Sequence, residues 1–122
     1  MLSTHYEGIN VLKKLLLLIS LLVLPACADM KTEINHLLNY VKTTKCTYIR
    51  NGTKHNGIEA EKHIKAKYDH YKKEITTAED FIRLSATQSL ISGSKYYIKC
   101  PGSSKVESGK WLLTELKKFR VK

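Results

Sequence analysis

Apolar residues recur at Met30, Ile34, Leu37, Leu38 and Val41, and the i, i+4, i+7, i+8, i+11 spacing predicts a helix with one apolar stripe, ending near Thr43. The period then shortens. Residues 46–50 and 95–100 are β-like runs rich in Thr, Tyr and Ile, which predicts one strand in each place. Between them, residues 51–57 hold two Asn-Gly steps and read as a turn-rich loop. A second helix is predicted from about Ile58 to Lys73: Ala60, Ile64, Tyr68, Tyr71 and Ile75 gather on one side, and Lys62, Lys65, Lys72 and Lys73 fall largely elsewhere. Thr76-Thr77-Ala78-Glu79 resembles a capping box opening a third helix, with Phe81, Ile82 and Ser85 inward. Ser92-Gly93-Ser94 turns the chain into the second strand, and Pro101-Gly102 closes it. Ser104 with Glu107 offers a cap for a last helix, whose core side is Trp111, Leu112, Leu113, Leu116 and Phe119. The predicted fold class is α+β, a mainly helical small domain in the order α-β-α-α-β-α.

The first 28 residues follow a different rule. Lys13-Lys14 precedes an apolar run from Leu15 to Leu24 interrupted only by Ser20, and Pro25-Ala26-Cys27-Ala28 follows. A core of about ten residues is well short of the roughly 20 needed to span a bilayer, and the small residues after proline suit a peptidase cleft. Residues 1–28 therefore read as a bacterial-type signal peptide, and residues 29–122 as a single exported, periplasmic domain. Ala26-Cys27-Ala28 fits cleavage before Asp29, Leu24-Pro25-Ala26-Cys27 resembles a lipoprotein box that would acylate Cys27, and retention as an anchor is the third route.

Composition narrows the partners. The 122 residues carry 21 Lys+Arg against 11 Asp+Glu, a formal charge of +10. Cutting after Ala28 removes Lys13, Lys14 and Glu7 and leaves +9. A chain this short supports one small domain and excludes large multidomain enzymes. Outside the cytoplasm, a basic domain meets no nucleic acid; the partners expected are an envelope protein, a cell-wall polymer or anionic lipid, drawn by a salt-screened field.

Export also decides the cysteines. With Cys27 removed or acylated, Cys46 and Cys100 remain in an oxidising compartment and should pair. Cys46 opens one β-like run and Cys100 closes the other. An antiparallel register with Cys46 facing Cys100 puts Tyr48 opposite Ile98 and Arg50 opposite Tyr96, whereas a parallel pairing holds the cysteines over ~13 Å apart. The bridge would staple a two-stranded ribbon and contribute about 4 kcal/mol in the chain-entropy model.

Signs of chemistry are sparse. Glu59, His63 and His70 share a helix face, but His70 lies about 10 Å beyond His63, too far to share an ion; Glu59 and His63, with His55 from the preceding loop, make at most part of a site, and no metal or other cofactor is expected. Ser92 to Lys95 has S-x-x-K spacing, yet it precedes a strand rather than opening a helix and lacks companion motifs. No nucleophile–base pair is evident, so no catalytic residue is expected. What remains is a recognition surface: the predicted register brings the loop after strand one and the turn before strand two to one end of the ribbon, where Arg50, Asn51, His55, Ser92 and Tyr96 would meet and suit a carboxylate, a sugar or a partner loop.

Cys46-Thr-Tyr-Ile-Arg-Asn-Gly52, the Glu59-Ala60 to His63 segment, Ile75-Thr-Thr-Ala-Glu79-Asp-Phe-Ile82, and Ser92-Gly93 followed by Tyr96 occur in an order that resembles the YfeK-like small periplasmic proteins, domain of unknown function 5329. The likeness covers roughly residues 31–118. It implies a small exported protein with no catalytic residues to carry over. The function expected is a non-enzymatic periplasmic binding or adaptor protein supporting envelope assembly or an envelope-spanning secretion apparatus. A cell-wall or anionic-lipid binding module is the alternative, and a small metal-dependent hydrolase the least supported. Oligomeric state is left open.

Overall fold

A computed structural model describes residues 28–122. Residues 1–27, which hold nearly all of the expected signal peptide and Cys27, the expected acylation site, lie outside the described residues. The elements are α1 (Met30–Thr43), β1 (Thr47–Arg50), β2 (Thr53–His55), α2 (Gly57–His70), α3 (Ala78–Ser85), β3 (Tyr97–Lys99), β4 (Val106–Glu107) and α4 (Ser108–Arg120). The fold is α+β, with the four strands in one antiparallel sheet of order β2-β1-β3-β4.

The sheet is built outward from the disulfide. Cys46 and Cys100 are bonded, their Cα atoms 4.2 Å apart. Beside them Thr47 pairs with Lys99, Tyr48 with Ile98 and Ile49 with Tyr97, the register that facing cysteines demand. Alternation puts Tyr48 and Ile98 on the buried face, against the helices. The Tyr48 hydroxyl donates to Ala86 O (3.3 Å) and accepts from Ser108 Oγ (3.2 Å), tying β1 to the end of α3 and the start of α4.

Two strands extend the predicted ribbon. Asn51 (φ 51°) and Gly52 (φ 77°) form a two-residue turn with both central residues in the left-handed region, and it folds residues 53–55 back onto β1 as β2. The stretch read as a loop is therefore a hairpin, although Thr53-Lys54-His55 carries no apolar alternation. At the other edge, Val106 and Glu107 return along β3 as β4, and Ser108 N donates to Tyr96 O (2.9 Å). This pairing replaces the expected Ser104 cap: the N-cap of α4 is Glu107, without a side-chain cap hydrogen bond.

Helix starts follow local chemistry. Asp29 caps α1 through Thr32 N (2.8 Å). Asn56 and Glu59 form a reciprocal capping box on α2. Thr77 caps α3 through Asp80 N, while the Asp80 carboxylate accepts from Thr76 N and Oγ1, so the acid completing this cap is Asp80 and Glu79 is left for another partner. Gly57 opens α2 where the helix crosses the end of α1: a Cβ there would lie 2.4 Å from Val41 O and 2.9 Å from Lys42 O. Helix α2 ends at His70, three residues short of the predicted limit, and a turn over 71–74 swings Ile75 into the core.

Helix α1 packs against α2, α3 and α4, and the core fills the space between these helices and the sheet. Its fully buried members run from Ile34 to Leu116, so residues 29–122 contain a complete core of their own. On α4, Leu112 and Leu116 point inward, Trp111 stacks on Tyr40 (4.5 Å) and Phe119 on His36 (4.1 Å), and Leu113 is exposed.

Candidate functional site

The end of the ribbon opposite the disulfide is built differently. The β1–β3 pairing stops at Ile49 and Tyr97, so the predicted pairing of Arg50 with Tyr96 does not form: Arg50 pairs with Thr53 in the hairpin, and Tyr96 is buried. Tyr96 N donates to Thr87 O (2.9 Å), which fixes the backbone, and the ring is buried. Helix α2 crosses above it. His63 and Lys67, one turn apart on one face, both reach its hydroxyl: Lys67 Nζ lies 3.3 Å away and His63 Nε2 3.5 Å. Lys67 also donates to Gln88 O (2.9 Å) and sits 5.0 Å from the centre of the Tyr96 ring.

These groups form one wall of a cleft of about 380 Å³, with Arg50 and Asn51 at the hairpin end, His70 and Tyr71 at the end of α2, and Leu90 and Ile91 on the facing loop. Among the described residues, no Asp or Glu lines it. Burial pushes the His63 imidazole down to about 4, and the positive charges of Arg50, Lys67 and His55 add to the effect. A neutral His63 accepting at Nε2 from the Tyr96 hydroxyl, which in turn accepts from Lys67, is the arrangement that satisfies all three. Burial, and then Arg50, also hold Lys67 below the usual lysine range, while burial raises Tyr96 despite the opposing pull of Arg50. The site thus holds two cations, Arg50 and Lys67, beside a neutral imidazole, and the two cations repel each other. An anion between them would relieve that repulsion.

Of the residues predicted to meet here, Arg50, Asn51 and Tyr96 line the cleft. Ser92 stands at the rim, with its Oγ 3.5 Å from Asn51 Oδ1, which joins the two loops as the register implied. His55, on β2, is not among the residues lining the cleft, and its Nδ1 lies 3.7 Å from Glu59 Oε2. Glu59 is committed to the α2 cap, accepting from Asn56 N (3.2 Å). Sequence reasoning missed Lys67, Tyr71, Leu90 and Ile91 and treated His63 only as a metal ligand. The i, i+4 spacing of His63 and Lys67 was the available signal, but the partner that gives it meaning, Tyr96, is distant in sequence.

The model of a family of unknown function (DUF5329) matches residues 28–120. The uncharacterized protein YfeK of Salmonella typhimurium is similar, 40% identical over 81 residues that cover 62% of this chain and 68% of that protein. No solved structure matches the chain.

Proposed function

The chain belongs to the family of unknown function DUF5329, and we propose that it is an exported, non-catalytic binding domain that takes an anionic group of another envelope component into the ribbon-end cleft and so serves as a periplasmic adaptor. The observation that carries this reading is the convergence of Arg50 and Lys67, beside a neutral His63, on one half-buried cleft that no carboxylate lines among the described residues. Charges on a protein surface are ordinarily solvated or paired; bringing several together under partial burial costs stability, and an incoming anion recovers it. The leader-like first 28 residues and the disulfide both suit an oxidising compartment outside the cytoplasm. The adaptor role in envelope assembly or secretion is the form of binding that a small domain without a nucleophile–base pair can serve.

A photocrosslinking residue placed at Asn51 tests this in cells. Wild type should give a reproducible adduct with an envelope component, whether protein, glycan or lipid. Arg50→Ala should lose it, and Lys72→Glu with Lys73→Glu should keep it, because those lysines do not line the cleft but an adjoining hollow, with Asp69 and Glu74. Retention in Arg50→Ala would remove the cleft from consideration.

A further inference from the structure

We propose that the anionic group bound by this cleft belongs to a bilayer of anionic phospholipid, and that Leu90 and Ile91 enter the interface beside it; this rests on the reading of the cleft as an anion site.

Leu90 and Ile91 are adjacent, 45% and 101% exposed, and both line the cleft. They form the tip of a small closed turn. Ser89 N donates to Ser94 O (2.9 Å), Gly93 N to Ser89 O (2.8 Å) and Ser92 N to Ser89 Oγ (3.2 Å), and Gln88 bridges Lys95 below. These bonds close the turn at Ser89, Ser92, Gly93 and Ser94 and leave Leu90 and Ile91 at its outer tip. An exposed aliphatic pair held rigidly outward has no role in the core, where the other large apolar side chains of this region lie.

The surroundings match a negative surface. Between Glu33 and Glu59, and again between Asp80 and Glu107, the sequence contains no acidic residue. Those two stretches supply β1, β2, β3 and both loops at the open end of the ribbon. Arg50 stands on one side of Asn51, and the hollow on its other side carries Lys105 together with Lys95, which is already paired with Glu107 (2.9 Å). Cations flanking a protruding aliphatic tip fit a headgroup phosphate next to an acyl chain. A soluble polyanion would use the cations and leave Leu90 and Ile91 without a partner.

The test is co-sedimentation of residues 29–122 with large unilamellar vesicles, either pure phosphatidylcholine or phosphatidylcholine with phosphatidylglycerol at 7:3. Binding should require phosphatidylglycerol and weaken steeply in 0.5 M salt. Leu90→Ser with Ile91→Ser should weaken it about tenfold or more, and Arg50→Gln about fivefold. Ile58→Ser with Val121→Ser, which removes exposed aliphatics elsewhere, should leave it unchanged. Absence of vesicle binding, or equal binding by the Leu90/Ile91 double variant, overturns the proposal. Titration with inorganic phosphate separates the two readings: shifts at Arg50, His63 and Tyr96 without vesicle binding keep the cleft as an anion site for a protein or glycan ligand, and no response to either probe removes both.

Discussion

Arg120 and Arg50 sit in regions that treat the same side chain in opposite ways. Arg120, at the end of α4, is held by two carboxylates: Nε and Nη2 donate to Glu33 on α1 (2.7 and 3.1 Å), and Nη1 and Nη2 donate to Glu79 on α3 (2.8 and 2.9 Å). Glu33 is buried, and its fork-to-fork pairing with Arg120 joins three helices at one point. The Arg120 guanidinium in turn holds the Glu79 carboxyl below its usual range. Arg50 has no carboxylate within ion-pairing distance among the described residues, and the charged side chain across the cleft from it is a second cation, Lys67. A charge with its partner built in serves the fold. A cluster of charges held together without one is suited to something outside it. The net charge of the chain cannot distinguish these two uses, whereas the position of eleven carboxylates among 122 residues can.

The largest effect comes from removing the frame on which both regions stand. Cys46→Ser opens a link between residues 54 apart and should cost about 4 kcal/mol. Thermal unfolding should show a fall of well over 10 °C in Tm, reproduced in wild type by reductant. Next, Arg120→Ala strands a buried Glu33 carboxylate and should cost about 2 kcal/mol in denaturant unfolding, with anion binding at the cleft unchanged.

Smaller again is a pH effect. The unfolded chain has His63 at its ordinary value near 6.5 and the folded one at about 4, so between these values the unfolded state holds more protons and stability falls as pH falls. Because the ring is partly solvated, the loss should be about 1 kcal/mol, and His63→Gln should flatten that part of the pH–stability curve. Anion binding works in the reverse sense. It opposes the positive neighbours that depress His63, raises the imidazole toward its ordinary value and takes up a proton, so affinity should increase as pH drops from 7 to 5. The smallest stability effect is expected for Arg50→Ala, within about 0.5 kcal/mol of wild type, although this variant should lose the anion site.

The parts of the fold that could be read in advance were those in which a local pattern has a single three-dimensional meaning. The stripe from Ile34 to Val41 needs one buried face, and two cysteines facing each other across antiparallel strands fix the pairing of Tyr48 with Ile98. Residues 53–55 escaped because nothing apolar marks them as a strand; the Asn51-Gly52 turn alone directs them onto β1. Val106 and Glu107 were read as a cap region because two residues carry no periodicity. Glu33 looks like a solvated helix residue until Arg120, 87 positions away, closes over it. At the cleft, Arg50, Asn51 and Tyr96 followed from the register, but His63 and Lys67 acquire their role only when α2 packs across Tyr96. Leu90 and Ile91 belong to no periodic run that would place them, and only the folded chain shows them on the outside.

The contrast between the two arginines is tested most directly by titrating ¹⁵N-labelled residues 29–122 with inorganic phosphate at pH 6 and low salt, in wild type, Arg50→Gln and Arg120→Gln. Saturable shifts centred on Arg50, His63, Lys67 and Tyr96 in wild type and Arg120→Gln, and absent in Arg50→Gln, are the predicted result. Weak, non-saturating shifts spread over all the lysine-bearing surfaces and unaltered by Arg50→Gln would contradict the account.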